Sequence, residues 1–196
     1  MPEEKHTKLP NKEYKIFGIG KTRSLAECVC KKLGIGISSI REEKFPDGEL
    51  KVHTMEDVNR AKVFVFHSLI DSTLRTVNDR LCELYFLLSS LRDQGAYQVT
   101  AVIPYLCYAR SDRRKEPFDS LTLRHVAQML EGSGVHQIIC MDVHNISAFE
   151  NAFRCSTLHF SVNAVASCEI SIGSKGFFKI KSRSERPRRA KVCSQL

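Results

Sequence analysis

The stretch Ala101-Val-Ile-Pro-Tyr-Leu-Cys-Tyr-Ala-Arg-Ser-Asp-Arg-Arg114 is the most informative part of the chain, because a buried-strand pattern runs in it directly into clustered charges. Residues 99–106 are apolar apart from Thr100, which predicts a central β-strand. Ligands of open α/β sheets lie beyond the carboxyl ends of the strands. Guanidinium groups pair with phosphate oxygens, so Arg110 and the basic residues after it favour a polyphosphate site. The alternative is a solvated charged turn.

Outward from this strand, predicted strands alternate with predicted helices. The strands are at 13–18, 40–45, 50–55, 61–67, 99–106 and 137–143, and the helices at 24–33, 75–92, 120–130 and 146–153. Ser24 is a candidate N-cap and Gly34 a stop for the first helix. This alternation predicts an α/β fold with a parallel sheet. Continuous apolar runs at 63–66 and 138–141 indicate that helices cover both faces of the sheet.

Composition favours a cytoplasmic protein without a membrane partner. The chain of 196 residues is 42% hydrophobic, yet it has no apolar run near the roughly 20 residues that span a bilayer. Its first residues are polar and lack the apolar core of a signal peptide. None of the eight cysteines forms a Cys-x-x-Cys pair, a pattern typical of reduced thiols rather than of a disulfide framework or a zinc site.

The charge divides the chain into three predicted parts. Residues 173–196 hold eight Lys and Arg against one Glu, which leaves +1 of the net +8 for the other residues. We therefore expect a flexible N-terminus at 1–13, a domain at 14–162 and a basic, disordered tail at 163–196. A nearly neutral domain is not expected to bind nucleic acid. A nucleic-acid or nuclear-targeting role for the tail stays open as an alternative.

Three further segments could carry chemistry. Gly18-Ile-Gly-Lys-Thr22 lacks the first glycine of a P-loop, since Lys15 holds that position, so it is either a tight strand–helix turn or an anion site.

Asp142 and His144 end a predicted strand, where residues i and i+2 share a face. Asp142 suits Mg²⁺ and His144 suits Mg²⁺ or phosphate, although a helix cap and a structural histidine are the alternative.

The segment Phe45-Pro-Asp-Gly-Glu49 combines an aromatic ring with two carboxylates in a turn. It is either a plain hairpin turn or the edge of a purine site, with Phe45 stacking on the base and Asp47 and Glu49 contacting amine or ribose groups.

Taken together, these motifs resemble the N-terminal half of ribose-phosphate pyrophosphokinase (phosphoribosyl pyrophosphate synthetase). The matching residues are Phe45–Glu49, 101–105 with Tyr108, Ala109, Arg110 and Asp112, and Asp142–His144, in the family's order and spacing over about 14–161. The resemblance implies a phosphoribosyltransferase-like domain. It also implies transfer of the β,γ-pyrophosphoryl group of Mg-ATP to the 1-hydroxyl of ribose 5-phosphate, for nucleotide biosynthesis.

Site roles follow from the resemblance alone. Phe45, Asp47 and Glu49 would shape the ATP base site, in trans across a subunit interface. Arg110 and Asp112 would face ATP, and Asp142 and His144 would serve the Mg²⁺ cofactor and the phosphates. The expected partners are therefore ATP and either a second copy of the chain or a full-length synthetase. Ribose 5-phosphate is expected only because the family uses it.

The chain also departs from the family pattern. Ser111 replaces the usual Gln, Cys107 replaces the usual Gly, and Phe153 lies about where a metal-associated Asp is often found. No segment resembles the ribose 5-phosphate loop, the pyrophosphate loop or the flexible catalytic loop. We therefore expect a truncated form that is inactive alone and assign no catalytic residue. The alternative is a non-catalytic regulatory or assembly subunit that joins full-length synthetase.

Overall fold

The computed structural model describes residues 14–73, 75–161, 168–172 and 178–182. Five of its strands form a parallel sheet: β1 (Tyr14–Gly18), β4 (Lys62–Phe66), β5 (Gln98–Ile103), β6 (Gln137–Met141) and β7 (Ser156–Phe160). They lie in the order β1-β4-β5-β6-β7, so β5 and β6 are neighbours. The expected parallel α/β sheet is confirmed. Strand β7 was missing from the predicted strands.

Helices lie on both faces of this sheet, as expected. They are α1 (Arg23–Leu33), α2 (Val77–Asp93), α3 (Thr122–Gly132) and α4 (Ile146–Ala152). Val63 and Val65 point into the core beneath α2, α3 and α4, while Phe64 and Phe66 point into the core beneath α1. Alternate residues of one continuous apolar strand therefore fill two different cores.

The first strand and helix are joined by a close turn. A Cβ on Gly18 would lie 2.7 Å from the Cα of Arg23 and 2.8 Å from the Cβ of Ala26. Only glycine allows this approach of strand and helix, which supports the tight-turn interpretation of the segment. The expected N-cap at Ser24 is wrong. A 3-10 turn at Gly20–Thr22 precedes α1, and the Thr22 hydroxyl donates to the carbonyl oxygens of Ile19 and Phe66.

A two-stranded hairpin stands apart from the main sheet. Its strands β2 (Ile40–Lys44) and β3 (Leu50–Thr54) pair in antiparallel register, so both predicted strands are confirmed. Partly buried Ile40 and Val52 pack against the core under α2. The Thr54 hydroxyl donates to Gln94 Oε1 over 2.9 Å, just past the end of α2.

Two more strands, β8 (Cys168–Ile172) and β9 (Phe178–Ser182), pair antiparallel within the segment that we expected to be disordered. At these ten residues the structure differs from that expectation, because alternating Ile and polar residues suit a ladder despite the charge around them. Residues 1–13 and the rest of the expected tail lie outside the described residues, so the three-part division stays a prediction. Among the described helices, none is long and apolar enough to cross a membrane.

Candidate functional site

One pocket of about 390 Å³ opens at the carboxyl ends of β5 and β6. Two loops build it, one after each strand. It is lined by Tyr105, Leu106, Tyr108, Ala109, Arg110, Ser111, Met141, Asp142, Val143 and His144. Because neighbouring parallel strands end at the same sheet edge, the loop with Arg110 and the loop with Asp142 and His144 face each other there.

The loop after β5 is held in an unusual backbone conformation. Tyr108 has φ +59, which is a strained value for a side chain of its size. Two contacts hold it: the Tyr108 hydroxyl donates to Asn78 Oδ1 of α2, and the amide of Ser111 donates to the Tyr108 carbonyl oxygen over 2.9 Å. The resulting turn presents the exposed Arg110 at the pocket.

The loop after β6 reaches the same pocket by a different route from the one expected. Strand β6 ends at Met141, so strand alternation does not place Asp142 and His144 together. Instead Asp142 adopts φ +42, a left-handed conformation that Asp tolerates, and its amide donates to the Phe160 carbonyl oxygen over 2.9 Å. Asn145, whose side chain accepts from the Ala148 amide, then caps α4. The cap therefore belongs to Asn145, not to Asp142.

Asp142 and His144 are exposed at the pocket, where they suit a hydrated cation. Magnesium takes few protein ligands and completes its shell with waters and substrate phosphates. The residues that the structure describes hold no cluster of three or more His, Cys, Asp or Glu that could bind a metal by itself. The donor set therefore fits Mg²⁺ only as a shared site, in which phosphate oxygens supply the remaining ligands.

Two thiols form part of the apolar core at this end of the sheet. Burial raises the pKa of Cys107 to about 12, and it also raises the pKa of Cys140, with the neighbouring Cys107 adding to the effect. Both thiols therefore stay protonated near neutral pH and are poor nucleophiles. Covalent chemistry through these cysteines is not supported, and the pocket suits binding and charge neutralisation.

A second pocket of about 300 Å³ adjoins the first, since Arg110 and Ser111 line both. Its other lining residues are Arg113, Lys115, Asp119, Ser120 and Thr122. Asp119 orders this loop by accepting from the amides of Lys115 and Glu116 at 3.0 and 2.9 Å. Hydrogen bonds from those two amides hold the pKa of Asp119 below its usual value. The basic side chains therefore lie on an ordered loop next to the first pocket.

Two predicted site segments do not line these pockets. Asp112 is half-buried and is absent from both linings, although it lies between Arg110 and Arg113. The Phe45–Glu49 turn at the tip of the β2–β3 hairpin is also absent from both. The turn is well ordered: Asp47 Oδ1 accepts from the Glu49 amide at 3.1 Å, and Phe45 leaves 42% of its surface exposed. The structure therefore brings Arg110, Asp142 and His144 together without these two segments.

Sequence reasoning quoted several neutral residues of this motif but assigned none of them a role in the pocket wall. Tyr105, Tyr108 and Ser111 line it beside the arginine, and Met141 and Val143 flank the acidic residue. Two tyrosines separated by two residues directly after a buried strand were the available signal. The interpretation gave its weight to the charges instead.

Comparison with known proteins agrees with this architecture. The model of the N-terminal domain of ribose phosphate pyrophosphokinase matches residues 14–134. The ribose-phosphate pyrophosphokinase of Mycoplasma genitalium is 34% identical over 137 residues, which are 70% of this chain and 40% of that protein. That of Corynebacterium ammoniagenes is 32% identical over 138 residues, or 70% of this chain and 42% of that protein. The chain thus spans about 40% of the length of these relatives.

A solved structure shows the same fold. The crystal structure of phosphoribosylpyrophosphate synthetase from Mycobacterium smegmatis superposes with a TM-score of 0.71 at 24% identity. The match covers 79% of this chain and 50% of that chain. The likeness confirms the phosphoribosyltransferase-like architecture of the described sheet and helices.

Proposed function

Because the chain belongs to the family of the N-terminal domain of ribose phosphate pyrophosphokinase, we propose that it is the Mg-ATP-binding part of a ribose-phosphate pyrophosphokinase-like protein. In the proposed reaction the 1-hydroxyl of ribose 5-phosphate takes the β,γ-pyrophosphoryl group of ATP, and AMP leaves. The carrying observation is that Arg110, Asp142 and His144 line one pocket at the ends of β5 and β6.

The roles of the side chains follow from their charges. Arg110 would pair with phosphate oxygens of ATP, and Arg113 and Lys115 of the adjoining pocket would neutralise the rest of the polyphosphate. Asp142 and His144 would hold Mg²⁺, which neutralises the charge on the phosphates when bound. Asp112 would support this side of the site from its place between the arginines. Transfer of this kind depends on positioning and charge neutralisation more than on a covalent intermediate.

The base of ATP would be bound by Phe45, Asp47 and Glu49. Since their turn lines neither pocket, these residues would complete the site of a second copy of the chain or of a full-length synthetase, rather than the pocket of their own chain. This arrangement makes a homo-oligomer, or association with full-length synthetase, part of the proposal.

The second candidate function is a non-catalytic regulatory or assembly subunit that joins full-length synthetase. The same exposed turn favours it. A chain that supplies Phe45–Glu49 to the site of a partner needs no turnover of its own. The two candidates differ in what the purified chain does. A nucleotide-binding half binds Mg-ATP, though weakly, without full-length synthetase, whereas an assembly subunit requires that partner for any effect.

Calorimetric titration of the 196-residue chain with Mg-ATP tests the binding proposal, and a coupled assay for AMP release tests turnover. We expect weak binding of Mg-ATP by the chain without a partner. We expect no AMP release with ribose 5-phosphate, because no segment of the sequence resembles the ribose 5-phosphate loop. Clear turnover by this polypeptide would overturn the expected inactivity. Absence of nucleotide binding, together with co-purification with a full-length synthetase, would select the regulatory function.

A further inference from the structure

The helical segment that follows β1 begins without a side-chain cap. The 3-10 turn at Gly20–Thr22 leads directly into α1, so the amides that a helix leaves without intrahelical partners lie at this turn. Among the described residues, no side chain caps the turn or α1, and neither has an acidic residue in its first turn. The Thr22 hydroxyl is engaged elsewhere, since it donates to the carbonyl oxygens of Ile19 and Phe66. The positive end of the helix dipole therefore lacks a negative partner within this segment.

The exposed side chains around the turn add positive charge. Lys21 and Arg23 are both exposed, and Arg23 forms an ion pair with Glu27 of α1 over 3.0 Å. Lys21 forms no ion pair with any residue that the structure describes. A helix start that has free amides and an unpaired cation favours a bound anion.

Gly20 leaves an open space beside this helix start. It adopts φ +52, and a Cβ built on it would meet one atom within 4 Å outside its chain neighbours, Nη1 of Arg80 at 3.3 Å. The neighbouring Gly18 differs, because a Cβ there would lie within 3 Å of Arg23 and Ala26. Gly18 therefore serves the packing of β1 on α1, whereas Gly20 leaves room in front of a guanidinium group.

Arg80 lies inside the protein and is directed at this space. The residue is 8% exposed, and its Nη2 donates to the Ser72 hydroxyl over 2.9 Å. Its buried Nε has no hydrogen-bond partner among the described residues, and no carboxylate of those residues lies within ion-pair distance of the guanidinium. A buried cation that has no partner is strongly unfavourable. The position of Nη1 next to Gly20 therefore indicates where a negative partner would bind.

The buried carboxylate of α2, Glu83, is directed at other groups. Its Oε2 lies 3.2 Å from Nε2 of His67, and its Oε1 lies 3.8 Å from Nη2 of Arg75. Glu83 and His67 are almost completely buried, with exposed fractions of 1% and 0%. Glu83 forms no ion pair with Arg80 among the described contacts, so the charge of Arg80 stays available to a ligand.

We propose that Gly20, Lys21 and Arg80 form a binding site for a phosphate group, separate from the two pockets at the ends of β5 and β6. The amides at the start of the helical segment and Nη1 of Arg80 would donate to the phosphate oxygens, and Lys21 would add charge at the exposed side. A phosphate group suits this site because its oxygens accept several hydrogen bonds from different directions at once. None of the three residues lines either pocket. The inference is therefore independent of the proposed function.

Calorimetric titration of the 196-residue chain with inorganic phosphate, without Mg²⁺ or nucleotide, tests this site. We expect saturable binding by the natural chain. Gly20→Ala places a methyl group against Nη1 of Arg80 and should weaken binding by about ten-fold, on the scale of one charge-assisted hydrogen bond. Lys21→Gln should weaken binding by about three-fold, because an exposed charge contributes less.

Each of these variants has a matched control on α1. Gly34→Ala introduces the same kind of backbone strain at φ +69, but a Cβ there has nothing within 4 Å. Lys32→Gln removes an exposed lysine at the opposite end of α1. Both controls should bind phosphate as the natural chain does. Arg80→Gln should abolish binding, and if circular dichroism shows that it fails to fold, Gly20→Ala and Lys21→Gln decide the outcome.

The phosphate group has two possible sources, free phosphate and a phosphomonoester. Titration with glycerol 3-phosphate distinguishes them. Affinity equal to that of inorganic phosphate, or higher, assigns the site to a phosphomonoester, whereas binding of inorganic phosphate alone assigns it to the free anion.

Three results would overturn the inference. The first is the absence of saturable phosphate binding by the natural chain. The second is equal affinity of Gly20→Ala and Lys21→Gln to their controls. The third is loss of binding in Arg110→Ala while Lys21→Gln binds normally, which would place the phosphate in the first pocket.

Discussion

Arg110 and Asp142 line one pocket, although Arg110 follows β5 and Asp142 follows β6. Parallel pairing of the two strands places their carboxyl ends at the same edge, so a guanidinium and a carboxylate face a common space. This pairing of charges suits a polyphosphate with its cation: in the proposed function the arginine would contact phosphate oxygens, and the carboxylate would contact the metal. Both residues are exposed, so changes at either should alter binding more than folding.

Replacement of Arg110 tests the phosphate contact. Charge-assisted hydrogen bonds contribute about 1.5–3 kcal/mol each. Arg110→Ala should therefore weaken Mg-ATP binding by at least about ten-fold. Arg110→Lys should recover only part of the loss, because a lysine does not form the paired contact of a guanidinium. Calorimetric titration measures both. Arg124→Ala, at an exposed position of α3 outside both pockets, is the control and should leave affinity unchanged. Equal affinities for Arg110→Ala and Arg124→Ala would remove Arg110 from the site.

Asp142→Asn tests the metal contact. Asn tolerates the left-handed backbone at φ +42, so this variant should fold normally while losing the carboxylate charge. We expect the Mg²⁺ concentration that half-saturates nucleotide binding to rise by about ten-fold or more, by analogy with a lost charged contact. Titration with Mg²⁺ at constant ATP checks this. Unchanged Mg²⁺ dependence in a folded Asp142→Asn protein would refute the assignment.

Gly18→Ala tests the close approach of β1 and α1. The new Cβ would overlap backbone atoms of Arg23, so the variant should be less stable by about 1–3 kcal/mol. Urea unfolding measures the free-energy change. Gly36→Ala is the matched control, because a Cβ there has open space around it and should change stability by less than about 1 kcal/mol. Similar stabilities of the two variants would show that the contact relaxes easily.

His136 should make stability depend on pH. Its Nδ1 accepts from the Val99 amide at 3.2 Å, and burial, followed by the charge of Arg92, lowers its pKa below the usual 6.5. The folded state therefore favours the neutral ring. Its contribution is present above pH 6.5 and declines as the pH falls below that value. A neutral hydrogen bond is typically worth about 1 kcal/mol, which sets the scale of the loss.

The control for this prediction is His136→Asn, whose side-chain oxygen can accept from Val99 without titrating. As the pH is lowered from about 7.5 to about 5.5, the free energy of unfolding should fall more steeply for the natural chain than for the variant. Parallel curves would mean that His136 does not contribute to the pH dependence.

Thiol reactivity should follow burial. Cys28 is exposed on α1, whereas Cys107 and Cys140 are buried and have raised pKa values. Iodoacetamide at neutral pH should therefore modify Cys28 in the folded protein and spare Cys107 and Cys140 until urea is added. Peptide mapping by mass spectrometry gives the order. Modification of Cys107 as fast as Cys28 would show that the loop after β5 opens in solution.

Local pattern predicted the elements that depend mainly on burial. The prediction of a strand at 99–106 was correct in type but extended too far. Strand β5 ends at Ile103, because the next residue, Pro104, has no amide hydrogen to donate to the neighbouring strand. Helix α2 was predicted at 75–92 from its apolar spacing and lies at Val77–Asp93, where Thr76 and Asp79 form a capping box. The same apolar pattern concealed Arg80 and Glu83, since periodicity does not show that a charged side chain is buried.

Sequence by itself determined the parallel α/β class, the two loops that could bind an anion and a cation, and the resemblance to ribose-phosphate pyrophosphokinase. These features follow from residue type and order, which act through short-range backbone preference and burial. Only the tertiary structure decided that Arg110 and Asp142 share a pocket, that the Phe45–Glu49 turn does not line it, and that His67 lies against Glu83. The reason is that strand pairing and the left-handed turns at Tyr108 and Asp142 set distances between residues far apart in the chain.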